Sequence, residues 1–246
     1  MKHKFLFILL FSLVLEGMVT TQAVAGDYVH QVNTLIGTKG TGLTSGYLYP
    51  GATYPYGMVQ FTPSYFSKRS GFVINQLSGG GCEHMGNFPT FPVKGKLKMS
   101  PDNILNYRIN VSEEKGHAGY YEAMVQEDIK AKLTVTERTG MASYEYPADQ
   151  QYGTIIIGGG ISATPIEQAA IVITAPNKCE GYAEGGNFCG LRTPYKVYFV
   201  AEFDTDAFET GTWKREELMP NTTFAEGEYS GVYFTFDVNK KKNIQY

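Results

Sequence analysis

Eight consecutive residues, Ile129-Lys130-Ala131-Lys132-Leu133-Thr134-Val135-Thr136, alternate apolar and polar without a break. Successive side chains of a β-strand point to opposite faces, so this run reads as a strand with one buried and one wet face. The pattern recurs in Gly231–Val238, where Val232, Phe234, Phe236 and Val238 face one way and Tyr233, Thr235 and Asp237 the other. Tyr195–Phe203, Thr154–Ile157 and Ala170–Thr174 are further strand candidates. Turn-forming clusters separate them, among them Tyr146-Pro147-Ala148-Asp149, Ala175-Pro176-Asn177 and Pro220-Asn221, at spacings that suit short antiparallel strands. No long helical period occurs; Ser162–Ala169 and Lys214–Leu218 have room for a short helical turn at most. The chain is expected to be all-β, a large antiparallel β-sandwich of roughly a dozen strands or more, without internal repeats or a low-complexity linker.

The N-terminus has a different logic. Lys2, His3 and Lys4 precede the apolar run Phe5–Leu15, and a polar stretch then ends in Ala23-Val24-Ala25. Positive charge, apolar core and small residues in that order make a secretory signal peptide over residues 1–25, cleaved between Ala25 and Gly26. The apolar run is well short of the about 20 residues that cross a bilayer, so no transmembrane segment is expected once the leader is gone. The product is exported: periplasmic, cell-surface or secreted. Lys2, Lys4 and Glu16 leave with the leader and take the net charge from −3 to −4, which argues against nucleic acid as a partner. The 18 tyrosines suit half-exposed strand faces and sugar-contacting surfaces alike.

Cys82, Cys179 and Cys189 remain in the mature chain. Cys179 and Cys189 bracket the Gly-rich stretch Glu180–Phe188, which would bring them into disulfide range if it closed as a hairpin turn; the alternative is three small buried hydrophobes. Gly158-Gly159-Gly160-Ile161-Ser162-Ala163 resembles a dinucleotide fingerprint, but Thr164-Pro165 interrupts the helix that must follow it. Gly37–Gly42 lacks the lysine of a phosphate loop. Cys82-Glu83-His84 is too tightly spaced for half of a structural zinc site. His30 and His117 are isolated, and Glu113-Glu114 and Glu216-Glu217 read as solvated loops.

More specific are Val32-Asn33-Thr34-Leu35-Ile36-Gly37-Thr38, Pro50-Gly51-Ala52-Thr53-Tyr54-Pro55-Tyr56-Gly57-Met58-Val59-Gln60 and Leu77-Ser78-Gly79-Gly80-Gly81-Cys82. In this order they resemble the opening of glycoside hydrolase family 92, exported calcium-dependent exo-α-mannosidases whose chains begin V-N-x-x-I-G-T, P-G-A-x-x-P-x-G-M-V-Q and L-S-G-x-G-C. The likeness continues through Gly119-Tyr120-Tyr121, Leu133-Thr134 and Arg138-Thr139-Gly140, and more weakly through Cys189-Gly190 and Ala201-Glu202-Phe203. It departs at Pro63–Phe72, shorter here and without the family's tryptophan, at Gln76, where the family has histidine, and a few positions after the cysteine, where the usual acidic residue is either Asn87 or absent.

The resemblance implies that residues 26–246 form the N-terminal β-sandwich of a two-domain glycosidase whose catalytic (α/α)₆ barrel is absent from this sequence. In the family an acid and a base in the barrel invert the anomeric centre from about 6.5–9.5 Å apart, and calcium is bound mainly there. No catalytic residue and no metal ligand are therefore assigned to this chain, and it is expected to be inactive alone. Its partners are α-mannoside glycans and the missing barrel, against which it should present an apolar patch. The Gly-rich loop, with Gly80, Gly81, Cys82, Glu83 and His84, is the expected substrate-binding element: glycines let backbone approach a ligand, and polar groups follow at once. The competing function is a stand-alone carbohydrate-binding or surface module with a tyrosine-rich face.

Overall fold

The computed structural model describes residue 28 and residues 31–38, 48–64, 71–77, 84–102 and 111–246. The leader with Ala25 and Gly26, and Gly80, Gly81, Cys82 and Glu83 of the Gly-rich loop, lie outside the described residues. Among those described there is no α-helix, and no helix long and apolar enough to cross a membrane.

Among the described residues seventeen strands follow one another. The first four are β1 (Ala52–Thr53), β2 (Gln60–Pro63), β3 (Phe72–Val73) and β4 (Thr90–Lys94). A meander follows, of β5 (Val111–His117), β6 (Tyr120–Val125), β7 (Ile129–Val135) and β8 (Gly140–Glu145). Next come β9 (Tyr152–Gly158), β10 (Ile166–Ala175), β11 (Lys178–Phe188) and β12 (Leu191–Glu202). The last are β13 (Glu209–Lys214), β14 (Glu217–Pro220), β15 (Phe224–Glu226), β16 (Ser230–Asp237) and β17 (Asn243–Gln245). All pairings are antiparallel, in an eight-stranded sheet β1-β2-β3-β4-β9-β16-β13-β14, a four-stranded sheet β12-β11-β10-β15 and a five-stranded sheet β17-β8-β7-β6-β5. The expected antiparallel β-sandwich is the observed fold.

One face of the large sheet carries the main core, covered in part by each smaller sheet. Ile129, Ala131, Leu133 and Val135 of β7 point into it, as the alternation predicts, while Lys130, Lys132 and Thr134 do not. Phe72 of β3 stacks on Tyr144 of β8 at 6.0 Å, and Phe203 packs on Phe234 of β16 at 4.7 Å. Each such side chain contributes about 1.5–3 kcal/mol when fully buried. β16 departs from the expected pattern of one wet face. Val232, Phe234 and Phe236 enter the main core, but Tyr233 and Thr235 are buried as well, Tyr233 in a second cluster with Phe91, Val93, Ile156 and Trp213. Leu97, Ile161 and Leu218 close over that cluster. In the central strand of a wide sheet, tyrosine and threonine are interior residues.

Trp213 lies directly across from Gly231, where a β-carbon would stand 2.2 Å from the indole ring. Neither expected helical turn forms. Thr164-Pro165 disfavours helix at its own position and Ile166 onward pairs with β11, while Lys214–Leu218 is the β13–β14 hairpin, with Arg215 at φ 52. Glu113 and Glu114 lie in β5 instead of a solvated loop: Glu113 (φ 51) sits where the β5–β6 register slips, and Glu114 accepts a 2.9 Å hydrogen bond from the Tyr121 hydroxyl.

Candidate functional site

Immediately after the Gly-rich loop, His84 is the first described residue, and it is nearly buried. Its Nδ1 lies 3.2 Å from the carbonyl oxygen of Asn187 near the end of β11, and its ring meets Phe188 and Tyr195 edge-on at 5.1 and 5.6 Å. A carbonyl can only accept, so Nδ1 carries the proton and Nε2 is the acceptor in the neutral ring. Met85 (φ 60), Gly86 (φ 72) and Phe88 (φ 51) then take left-handed backbone, at about 1–2 kcal/mol for each of the non-glycines. Local hydrogen bonds hold them. Gly86 N donates to Asn75 O (2.7 Å), Asn87 N to Asn75 Oδ1 (2.8 Å), Asn75 Nδ2 to Asn87 Oδ1 (3.1 Å), and the Tyr195 hydroxyl to the same Oδ1 (3.0 Å). Asn87 is fully buried and its Nδ2 has no hydrogen-bond partner among the described residues.

A second wall of this rim comes from the turn before β2. Gly57 N donates to Tyr54 O and Met58 N to Glu137 O, leaving the side chains of Tyr54, Tyr56 and Met58 exposed. Tyr56, at φ 60, is fully so. Gln60 joins the walls: its Nε2 donates to Gly57 O at 3.2 Å, and its Oε1 accepts from Gln76 N at 3.4 Å, next to the Gln76–Met85 bridge. Thr34, from the first sequence block, lies against Gly116, where an added β-carbon would be 2.3 Å from the threonine hydroxyl. Asn75, Asn187 and Tyr195 escaped sequence reasoning as site residues, and Asn87 entered it only as a departure from the family, because their partners lie 12 to 108 residues away.

Glu180–Phe188 is strand, not a turn. β11 carries Cys179 near its start, and Cys189 follows its end in a two-residue turn, Cys189 (φ 52) and Gly190 (φ 85), between the Phe188–Leu191 pair. Ten residues of extended chain separate the sulfurs' backbones by about 33 Å, far beyond disulfide reach. Cys179 is a free, buried thiol whose pKa burial pushes far up, and Cys189 is disulfide-bonded; the Cys179–Cys189 bridge is excluded. Gly159 N and Gly160 N both donate to Ser230 O at 3.0 Å, so the apparent dinucleotide fingerprint is a tight contact with the turn before β16. His117 stacks on Tyr120 at 5.0 Å in the β5–β6 turn.

The model of the glycosyl hydrolase family 92 N-terminal domain matches residues 31–246. The chain belongs to family 92. A protein of Arthroderma benhamiae described as an uncharacterized secreted glycosidase is 30% identical over 159 residues, covering 55% of this chain and 20% of the relative. Among solved structures, the family 92 glycosyl hydrolase CcMan5 superimposes with a TM-score of 0.75 at 21% identity, over 89% of this chain and 32% of that one. The α-mannosidase BT3965 from Bacteroides thetaiotaomicron gives 0.74 at 24% identity, over 88% and 32%. The family 92 domain here thus spans about a third of the solved chains it matches and a fifth of the fungal relative.

Calcium was expected to lie mainly outside this chain. Calcium takes about 6–8 oxygen ligands, with carboxylates prominent, and among the described residues no three His, Cys, Asp or Glu side chains converge. No chemical step is routed through a metal here.

Proposed function

We propose that this family 92 domain forms one wall of the sugar-binding cleft of an exported α-mannosidase-like glycoside hydrolase. In this reading the hydrolytic carboxylates and the calcium belong to a separate catalytic domain, and the domain alone does not hydrolyse mannosides. The observation that carries the reading is the rim held together by Gln60. It ties the second of the family's sequence blocks to Gln76, the residue just before the third, and the same turn holds Tyr56 fully in solvent on a strained left-handed backbone. Exposure of a large aromatic at such a conformation costs free energy that packing does not return, which is the pattern of a residue kept for contact with something else.

A chimera with the catalytic domain of a family 92 relative tests this. Tyr56→Ala is expected to raise KM for α-mannosides by about tenfold, equivalent to about 1.4 kcal/mol, with the melting temperature unchanged. Residues 26–246 alone should show no turnover with or without calcium. Calcium-dependent hydrolysis by the isolated domain, abolished by a point substitution within it, overturns the reading.

A second reading, a stand-alone glycan-binding module, draws on a different surface. A groove of ≈ 370 Å³ crosses the outer face of the four-stranded sheet between Tyr182, Tyr198 and Phe224. Binding of the isolated domain to a glycan array, lost in Tyr198→Ala and kept in Tyr56→Ala, selects this reading over the first.

A further inference from the structure

The four-stranded sheet ends in two unlike edges. β15 has 3 residues, whereas β12 runs for 12, and among the described residues no strand pairs with its outer side. A long open edge offers a row of backbone donors and acceptors to any other strand. We propose that a second copy of this chain occupies it, β12 pairing antiparallel with β12 about a twofold axis at Phe199, so that two four-stranded sheets become one.

The ladder with β11 fixes which backbone groups are left over. Phe203 N donates to Asn177 O at 2.8 Å, and the register then runs without a shift from the Lys178–Glu202 pair to the Gly185–Tyr195 pair. Bonded and non-bonded pairs alternate along an antiparallel ladder, so Tyr195, Val197, Phe199 and Ala201 direct their N–H and C=O groups to β11. Those of Lys196, Tyr198, Val200 and Glu202 point outward from the edge. Pro194 has no N–H and sits where the register shifts between Gly185 and Asn187, which ends the pairable stretch on that side.

The same four residues carry exposed side chains on the outer face, and their order is complementary to itself. With Phe199 on the axis, Lys196 lies opposite the partner's Glu202 and Tyr198 opposite the partner's Val200, and symmetry repeats both pairs. Four pairs exchanging two bonds each give about eight backbone hydrogen bonds between the chains. Within one chain Lys196 already stands beside Glu184, and Glu202 beside Lys178, each as an ion pair. The pairing extends these into rows of Glu184, Lys196, the partner's Glu202 and the partner's Lys178, whose charges alternate in sign across four strands. Opposite charges directly across a strand pair are favourable and like charges are not. Sliding one strand by two residues sets Tyr198 or Val200 opposite itself and breaks both intermolecular ion pairs, so charge selects the register.

Sedimentation equilibrium of the mature chain tests the pairing. A reversible monomer–dimer equilibrium is expected between about 1 and 100 µM, the range of a small interface. Lys196→Glu and Glu202→Lys each set like charges opposite one another twice in the dimer, and each should raise the dimer Kd by about tenfold or more. An equimolar mixture of the two variants faces opposite charges at both positions and should associate about as well as the unaltered chain. Val200→Pro removes an outward N–H that no strand of its own chain uses; it should abolish the dimer while the melting temperature holds. A monomer throughout that range, a dimer indifferent to these substitutions, or a mixture no tighter than its separate components overturns the pairing. Amide exchange at Lys196, Tyr198, Val200 and Glu202 separates the other occupant: protection that appears only when a catalytic domain is fused to the chain, and does not depend on concentration, assigns the edge to that domain and also overturns the proposal.

Discussion

Tyrosines on the inner face of the five-stranded sheet and tyrosines on the outer face of the four-stranded sheet sit on strands of the same alternating kind, yet they do opposite things. Tyr121, Tyr144 and Tyr146 are buried, and each hydroxyl has a partner: Glu114 for Tyr121, the carbonyl of Thr154 for Tyr146, and a triangle with Thr90 and Tyr246 for Tyr144. Within that triangle Tyr246 donates to Thr90 Oγ1 at 2.6 Å, and the two tyrosine oxygens are 3.3 Å apart. Burial pushes the Tyr144 and Tyr246 hydroxyls far up, so they stay neutral at any working pH. Tyr182 and Tyr198 have rings 6.0 Å apart; Lys196 rides over both and pairs with Glu184, and Tyr198 is mostly exposed. The difference is not in the strands but in what covers them. For these three buried tyrosines a satisfied hydroxyl offsets the cost of burying the polar end of the ring, whereas a tyrosine outside leaves its ring available to a ligand.

Truncation on the two faces should separate these roles. Tyr144→Ala removes the ring on which Phe72 stacks and is expected to destabilise the domain by about 3–5 kcal/mol, the usual cost of deleting a buried aromatic; urea unfolding measures it. Tyr144→Phe removes only the hydroxyl. Thr90 and Tyr246 still bond each other, so the loss should be about 0.5–1.5 kcal/mol in the same assay. A loss as large as that of the alanine variant would mean that the triangle, and not the packing, holds this interface.

Tyr120 and Glu122, on the outer face of the five-stranded sheet, are an intermediate case. Tyr120 donates to Glu122 at 2.7 Å, and its own pKa is pushed up to about 12, by burial first and then by Glu122. The carboxyl of Glu122 is held below its ordinary range, first by that hydrogen bond and then by Lys130 and Lys115. A depressed carboxyl pKa stabilises the fold above the unfolded value of 4.5, and the contribution disappears as pH falls through the folded value. Glu122→Gln should therefore cost less than about 1 kcal/mol at neutral pH and nothing below the folded pKa, which stability curves at pH 3 and pH 7 would compare. Tyr198→Ala, fourth and smallest, should change stability by no more than about 0.5 kcal/mol. A larger loss there would show that the outer face is structural after all.

The fold was largely legible because alternation is local: Ile129–Thr136 announces β7, and the turn clusters mark many of the breaks. The site was less so. Glu180–Phe188 reads as a turn because Gly181, Gly185 and Gly186 suggest one, yet at Gly181 the glycine admits the backbone of Ala170, whose carbonyl oxygen an added β-carbon would approach to 2.4 Å. Asn87 looked like a missing acid, and only the fold shows it locked between Asn75 and Tyr195. Tyr233 and Thr235 looked wet because their chemistry permits water; their position in the sheet decided otherwise. In each case the deciding partner lies far along the chain, where no local pattern records it.

The Thr90–Tyr144–Tyr246 triangle also sets an order of events. β17 zips onto β8 through paired bonds between Ala142 and Tyr246, and Tyr246 reaches back 156 residues to Thr90. During synthesis, β4 and β8 emerge long before the residue that completes their contact. Until Tyr246 arrives, that edge of β8 is unpaired, the Tyr144 hydroxyl has Thr90 alone, and the Thr90 hydroxyl has Tyr144 and the carbonyl of Phe72. Distant closures of this kind are slow, and open strand edges invite association with other chains. The domain is therefore most exposed to wrong association while β8 still lacks β17, and a chaperone that shields that edge in the interval would protect it most.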